Sequence, residues 1–154
     1  MPLLSAGQLM QTAQKWALDG VFLKAQTPAA AATYMAISTA AASGVLSSTE
    51  TLMSGTSINE YATASGYARQ AYGPVAATAA SPSVIYNTAV ITWGPFTSAP
   101  GTANWGIATD LVSGGTGKPI AAFLLASPRT PAIGDSLQAA AGTGSAGVGF
   151  LAQV

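Results

Sequence analysis

The stretch WGIATDLVSGGTGKPIAAFLL, residues 105–125, decides the fold of this chain. Residues 105–112 at its start and residues 120–125 at its end are both apolar and resemble short buried strands. A glycine-rich connection of this length between two such runs is typical of antiparallel strands joined by a tight turn. The stretch therefore predicts a β-hairpin whose turn lies at residues 113–118.

The same turn, SGGTGK, invites a second interpretation as a phosphate-binding loop. Such a loop needs a further glycine five positions before the Gly-Lys pair and a hydroxyl residue directly after it. Val112 and Pro119 occupy those two positions, and the proline also lacks the N–H that would open a following helix. Both diagnostic positions fail, so the sequence favours the turn.

The residue inventory removes several kinds of chemistry. The chain of 154 residues, about one domain in length, contains no histidine and no cysteine. It therefore lacks the usual zinc ligands, imidazole bases and thiol nucleophiles. Its net charge of zero provides no basic surface for nucleic acid, and no cofactor site is indicated. The acidic residues are far apart in sequence and suggest no catalytic pair: Asp19, Glu50, Glu60, Asp110 and Asp135.

The scarcity of charge is the most informative number in the composition. Charged residues make up 6% of the chain, against about a quarter in ordinary soluble domains, and hydrophobic residues make up 49%. No apolar run approaches the ~20 residues that span a membrane, and the N-terminus lacks the pattern of a signal peptide. We expect a subunit whose surface is shared with copies of itself and a larger scaffold; an alanine-rich monomer is the alternative.

The N-terminal residues predict an amphipathic helix. Ser5 is a candidate cap, and apolar residues recur at spacings of three and four until about Leu18. The helix could pack on its own domain, or residues 1–27 could form an arm that docks on a neighbouring subunit. In the second case the candidate interface residues are Leu3, Leu4, Leu9, Trp16 and Phe22.

The remainder, residues 28–154, predicts a mainly β domain. Short strands bounded by proline and glycine recur at intervals of about ten residues, after a Ser/Thr/Gly-rich excursion at residues 39–65. This spacing favours an antiparallel β-sandwich or a jelly-roll-like barrel. The predicted strands are residues 33–38, 66–72, 83–86, 89–93, 104–109, 120–126, 136–139 and 148–152.

The isolated polar and aromatic residues of these strands have structural interpretations. Arg69 is expected to form an ion pair, within the sheet or at an interface, because no activating partner accompanies it. Asp135 follows Gly134 in a turn, where a carboxylate usually bonds its own backbone, and Asp110 fits hairpin polarity better than a metal site. Trp93 and Trp105 are expected in the core.

The order of these segments resembles a group of small tailed-bacteriophage virion structural proteins. The resemblance rests on three short strand motifs, Gly66-Tyr-Ala-Arg69, Trp93-Gly94 and Gly134-Asp-Ser-Leu137, within residues 34–141. It implies a non-enzymatic assembly component located in the virion and assembled in the host cytoplasm. It carries over no ligand site.

Two locations in a virion remain open on the sequence. The chain could decorate the outer capsid as a cement protein. Its partners would then be other copies of the chain, in a trimer, and the major capsid protein. It could instead be a structural or adhesive subunit of the tail or its fibres. A compact domain without a coiled-coil stalk favours decoration. A third class is a lectin-like or hydrolytic module on the same scaffold. A lectin would need aromatic and acidic side chains at one loop end, for which Trp93, Tyr72 and Asp110 are the candidates.

Overall fold

The computed structural model describes residues 8–9, 34–41, 52–72, 89–141 and 151–153 of the chain. Within these ranges the protein is mainly β, and the helical content is one 3-10 turn at Thr63–Ser65. The strands form two antiparallel sheets, one of five strands and one of three. Their bounds are β1 Gln8–Leu9, β2 Tyr34–Ser38, β3 Gln70–Ala71, β4 Ile91–Trp93, β5 Ala103–Thr109, β6 Pro119–Arg129, β7 Leu137–Ala139 and β8 Leu151–Gln153.

The hairpin of β5 and β6 confirms the prediction made from residues 105–125. The two strands pair antiparallel, from Trp105 opposite Leu124 to Ala108 opposite Ala121. The register shifts at both ends of this run, next to Ala103 and next to Thr109, as expected where a bulge bends a strand. The connection at residues 110–118 is a loop, as the failure of the phosphate-loop pattern predicted.

The five-stranded sheet has the order β1-β6-β5-β2-β3. Strand β2 lies inside the sheet between β5 and β3, and all of its residues except Tyr34 are buried. Strand β1 ends the sheet on the other side, where Gln8 lies opposite Ala122 and Leu9 opposite Ala121. The smaller sheet has the order β4-β7-β8, with β7 in the middle.

The two faces of the large sheet contribute to different hydrophobic clusters. Met35 and Ile37 of β2 belong to a cluster that also contains Trp93 and Leu137 of the small sheet, so this core is common to both sheets. Ala36, between them in sequence, belongs to a second cluster. Alternating side chains of one strand point to opposite faces, which explains this division.

The second face is covered by part of the long excursion. Met53 and Ile58 join Trp105, Ile107 and Ala122 in the cluster on that face. Backbone hydrogen bonds fasten the excursion on two sides, because its N–H groups and carbonyls pair with the hairpin loop and with β2. The described parts of the excursion, residues 39–41 and 52–65, therefore pack as an irregular layer over the sheet.

Two details of the predicted fold class differ from the structure. Neither sheet closes into a barrel among the described strands, so the barrel alternative is wrong there. An N-terminal helix is not shown: Gln8–Leu9, inside the predicted helix, form strand β1. Pairing with the exposed edge of β6 outweighs the helical spacing of the apolar residues at this point. The rest of the predicted helix lies outside the described residues, and the division at residue 27 stays a prediction.

Candidate functional site

Arg69, which is buried, and Glu60, which is partly buried, form an ion pair beside the hairpin loop. Arg69 Nη2 is 2.6 Å from Glu60 Oε2, and Arg69 Nε is 2.7 Å from Glu60 Oε1, so the contact is bidentate. The side chains of Arg69 and Glu60 are 3% and 18% exposed. Planar guanidinium and carboxylate groups match in this geometry, which makes the pair directional as well as charged.

The same guanidinium holds the hairpin loop. Arg69 Nη1 donates to the carbonyl of Leu111, and Arg69 Nη2 donates to the carbonyl of Gly114, both at 2.9 Å. Together with the bonds to Glu60, these contacts use four of the five N–H groups of the side chain. The ion pair therefore links the end of the excursion, at Glu60, to the loop between β5 and β6.

Tyr67 completes this group, which we call the Arg69 cluster (Glu60, Tyr67 and Arg69). The Tyr67 hydroxyl donates to Glu60 Oε1 and accepts the N–H of Ile37, each at 3.0 Å. Burial, followed by the negative charge of Glu60, raises the pKa of Tyr67 well above its usual value. The hydroxyl therefore stays protonated, and keeps donating to Glu60, in more alkaline solution than an unperturbed tyrosine would.

A depression of about 260 Å³ lies over the Arg69 cluster. It is lined by all three members of the cluster and, among other residues, by Val112 and Gly114 of the hairpin loop. The polar groups of the cluster are already bonded to one another and to backbone groups. Binding a polar ligand here would require breaking those bonds, so the arrangement suits a structural support better than a reacting centre.

Large apolar side chains are exposed close to this cluster. Leu111 and Val112 of the hairpin loop are 41% and 54% exposed, and Leu52 is 41% exposed. Leu52 lies beside the loop, because the N–H of the next residue, Met53, bonds the carbonyl of Gly117 at 2.7 Å. We call Leu52, Leu111 and Val112 the loop apolar group. Val90 and Ile133 are exposed elsewhere.

The structure places the predicted interface residues in two categories. Leu9 lies in β1 at the edge of the large sheet, whereas Leu3, Leu4, Trp16 and Phe22 lie outside the described residues. Arg69 is 6% exposed and forms the ion pair that the sequence predicted, with a partner in its own chain. A role for these six residues in contacts between subunits stays a prediction.

The other polar predictions are confirmed by the hydrogen bonds. Asp110 accepts the N–H of Lys118 across the hairpin loop at 2.6 Å. Asp135 accepts the N–H of Ala132 within its own turn at 2.8 Å. Both carboxylates therefore fix loop geometry, as expected for aspartates next to glycine-containing turns.

The aromatic residues considered for a carbohydrate site are in the core. Trp93 is 1% exposed and Tyr72 is 6% exposed, and both belong to the cluster common to the two sheets. Trp105, at 6%, belongs to the cluster on the opposite face. The structure therefore confirms that Trp93 and Trp105 lie in the core. Because Trp93 and Tyr72 are buried, neither provides an exposed aromatic ring that could act together with Asp110.

Sequence reasoning missed Glu60, Tyr67 and the loop apolar group. In the sequence Glu60 is one of five acids that are far apart, and nothing in its local pattern shows that the excursion returns to Arg69. The sequence predicts a strand up to Val112, whereas β5 ends at Thr109 and leaves Leu111 and Val112 in the loop. Three closely spaced glycines begin two residues after Val112 and were the available signal for an exposed loop.

The described ranges contain no group of three or more acidic, histidine or cysteine side chains placed to hold a metal ion. None of the helical residues in these ranges forms a segment that is long and apolar enough to cross a membrane. Comparison of the chain with protein-family models, with curated proteins and with solved structures finds no match.

Proposed function

We propose that this chain is a non-enzymatic structural protein of a tailed-bacteriophage virion. Its role is that of a decoration, or cement, protein that binds the outer capsid surface as a homo-oligomer, most simply a trimer. The observation that carries the proposal is that charged side chains bond groups of their own chain. Glu60, Arg69, Asp110 and Asp135 all bond the chain itself and give shape to loops.

Exposed apolar side chains support the same proposal from the surface. The loop apolar group, Val90 and Ile133 are exposed in a chain with only 6% charged residues. Burying apolar surface contributes about 25 cal/mol per Å², less the cost of ordering the contact. A symmetric assembly repeats each contact many times, so a modest area per subunit is enough to strengthen a shell.

The fold is compatible with a compact β-sandwich subunit. The two sheets have a common core cluster, and the resemblance to virion proteins described above covers most of the residues that build it. A compact domain fits a position on the capsid surface better than a position within a fibre, which normally requires a repeated or coiled-coil stalk. A tail location is the alternative.

The location of the chain on a particle tests the proposal directly. An antibody against the chain, imaged by electron microscopy on virions that assemble with it, is expected to label the capsid surface in many regular copies. Label confined to the tail or its tip would replace the decoration role with the tail role. Virions that assemble without incorporating any of the chain would refute both.

A glycan array separates these roles from a carbohydrate-binding module. We expect no binding, because the aromatic side chains of the described core are turned away from solvent. A reproducible hit would argue for an adhesive function instead.

A further inference from the structure

We propose that the protein holds one internal water molecule beside Gly117, bonded to the hydroxyl of Thr109 and to the guanidinium of Arg69. The site is distinct from the depression over the Arg69 cluster, because neither Thr109 nor Gly117 lines that depression. The proposal goes beyond the function proposed above and does not depend on it.

The first observation is the hydroxyl of Thr109, the last residue of β5. Thr109 is fully buried, and within the described part of the chain its Oγ1 has no hydrogen-bond partner. A hydroxyl buried in this way loses the hydrogen bonds that it makes to water in the unfolded chain. Nearly all buried polar groups of native proteins bond either protein or ordered water, so a bound water is the expected partner.

Arg69 supplies the second observation. Its side chain has five N–H groups, and the bonds to Glu60 and to the carbonyls of Leu111 and Gly114 use four of them. Those bonds use the single N–H of Nε and both N–H groups of Nη2, so the fifth N–H belongs to Nη1. A side chain that is only 3% exposed therefore has one more donor to satisfy.

Gly117 brings these two groups to one place. A Cβ built on Gly117 would lie 3.0 Å from Thr109 Oγ1 and 3.1 Å from Arg69 Nη1. Because both atoms surround the same point, one water oxygen can bond both at the usual distance of about 2.7–3.2 Å. Glycine leaves this side of the backbone open, whereas any larger residue would direct its side chain towards the two polar atoms.

The pairing of the hairpin explains why the opposite strand provides no donor for Thr109. Pro119 lies opposite Thr109, and the register of β5 and β6 shifts between Ala108 and Thr109. Proline has no N–H, and Pro119 is itself fully buried. The hydroxyl therefore lies at an irregular end of the hairpin, next to a residue that cannot donate to it.

The charges at this place favour water over an ion. Glu60 already balances the guanidinium of Arg69, so a buried anion would lack a counter-charge of its own and a cation would face the guanidinium. Water accepts the N–H of Arg69 and can either donate to Thr109 Oγ1 or accept from it. The water extends the hold of Arg69 from the hairpin loop to the end of strand β5.

Crystallography of the full chain tests the proposal directly. At a resolution that shows ordered water elsewhere in the protein, we expect one water within about 3.2 Å of both Thr109 Oγ1 and Arg69 Nη1. A structure that shows ordered water elsewhere and none at this point overturns the proposal. A structure in which Thr109 Oγ1 bonds a protein group instead overturns it as well.

A matched pair of variants tests the same hydroxyl in solution. Thr109→Ser and Thr109→Ala both remove the methyl group, and only serine keeps the hydroxyl, so neither variant overfills the site. If the hydroxyl bonds a water, the urea midpoint of Thr109→Ser should lie above that of Thr109→Ala, because alanine removes a satisfied hydrogen bond. A hydroxyl without a partner gives the reverse order.

The same two substitutions at Thr92, which is exposed in β4, provide the control. They measure the difference between serine and alanine in a strand that does not depend on burial. We expect the advantage of serine at position 109 to exceed the difference at position 92. An equal or smaller difference at position 109 overturns the proposal.

Discussion

At the scale of single residues, Arg69 contributes most to the shape of the site. Its guanidinium bonds Glu60 and the carbonyls of Leu111 and Gly114. We expect Arg69→Met to lower the free energy of unfolding by about 1–3 kcal/mol, because it leaves a partly buried carboxylate without its partner. Urea unfolding of the purified variant measures the change.

A second variant shows whether the lost charge pair is the cause. In Glu60→Gln/Arg69→Met no buried charge is left alone, so the double variant should be more stable than Arg69→Met. The change in unfolding free energy for Glu60→Gln alone is measured as well. If the double variant is less stable than Arg69→Met by that same amount, the two residues act independently.

Buried tyrosines give the second prediction at this scale. Burial raises the pKa of Tyr61, Tyr67 and Tyr72 above the usual value near 10. The unfolded chain therefore releases these protons above about pH 10 while the folded chain retains them, and stability should fall as pH rises from there. Below that pH both states are protonated, and these groups should leave stability unchanged.

The urea midpoint as a function of pH checks this expectation, with tyrosinate absorbance recorded in the same samples. Tyr61→Phe is a suitable comparison, because it removes one buried ionisable group at the cost of a single hydrogen bond to Gly101. Its stability should decline less steeply in alkali. A midpoint that does not change throughout the alkaline range would contradict the assignment.

The residue scale also shows what sequence can and cannot predict about the site. The roles of Asp110 and Asp135 were predictable. Each carboxylate accepts a backbone N–H from its own loop, and the glycines that indicate each loop lie close to the aspartate in sequence. The partners of Arg69 were not, because Leu111 and Gly114 are more than forty residues away in sequence and come near it only through the pairing of β5 with β2. Ion-pair geometry of this kind depends on tertiary structure.

At the scale of secondary-structure elements, the hairpin β5–β6 was predictable and β1 was not. Two apolar runs around a glycine-rich turn define a hairpin without reference to the rest of the chain. Residues 8–9 lie in a segment whose apolar residues have helical spacing. Their strand conformation depends on the edge of β6, which comes more than a hundred residues later in the sequence. Local periodicity carries no information about such pairing.

The N-terminal segment gives the prediction that belongs to this scale. Deleting residues 1–26 is expected to abolish attachment to the virion while leaving the sheets folded, because β1 supplies only two residues at one edge. Circular dichroism of the truncated protein and its co-sedimentation with virions lacking the chain provide the two readouts. Attachment equal to that of the full chain would refute the role of the segment.

At the scale of the whole molecule, the surface determines the association of copies. Val112 is 54% exposed beside the Arg69 cluster. We expect Val112→Ser to weaken self-association by about 1 kcal/mol per contact, from the apolar area that it removes, with little effect on the stability of the monomer. Light scattering coupled to size exclusion gives the oligomer mass as a function of concentration.

Val112→Ile is the matched control, since it keeps the branched apolar side chain and should associate at least as well as the natural protein. Equal association of the serine and isoleucine variants would show that this loop lies outside the interface. In that case Val90 and Ile133, which are at least as exposed, become the positions to substitute next.

The hairpin loop is held from two sides. The N–H groups of Met53 and Ser54 bond the carbonyls of Gly117 and Gly115, and Arg69 holds the other half of the same loop. Two connections that differ in length and composition are thereby joined by hydrogen bonds. The protons on those two amides exchange with solvent deuterium only when the excursion separates from the loop, so we expect slower exchange at Met53 and Ser54 than at surface amides that form no hydrogen bond.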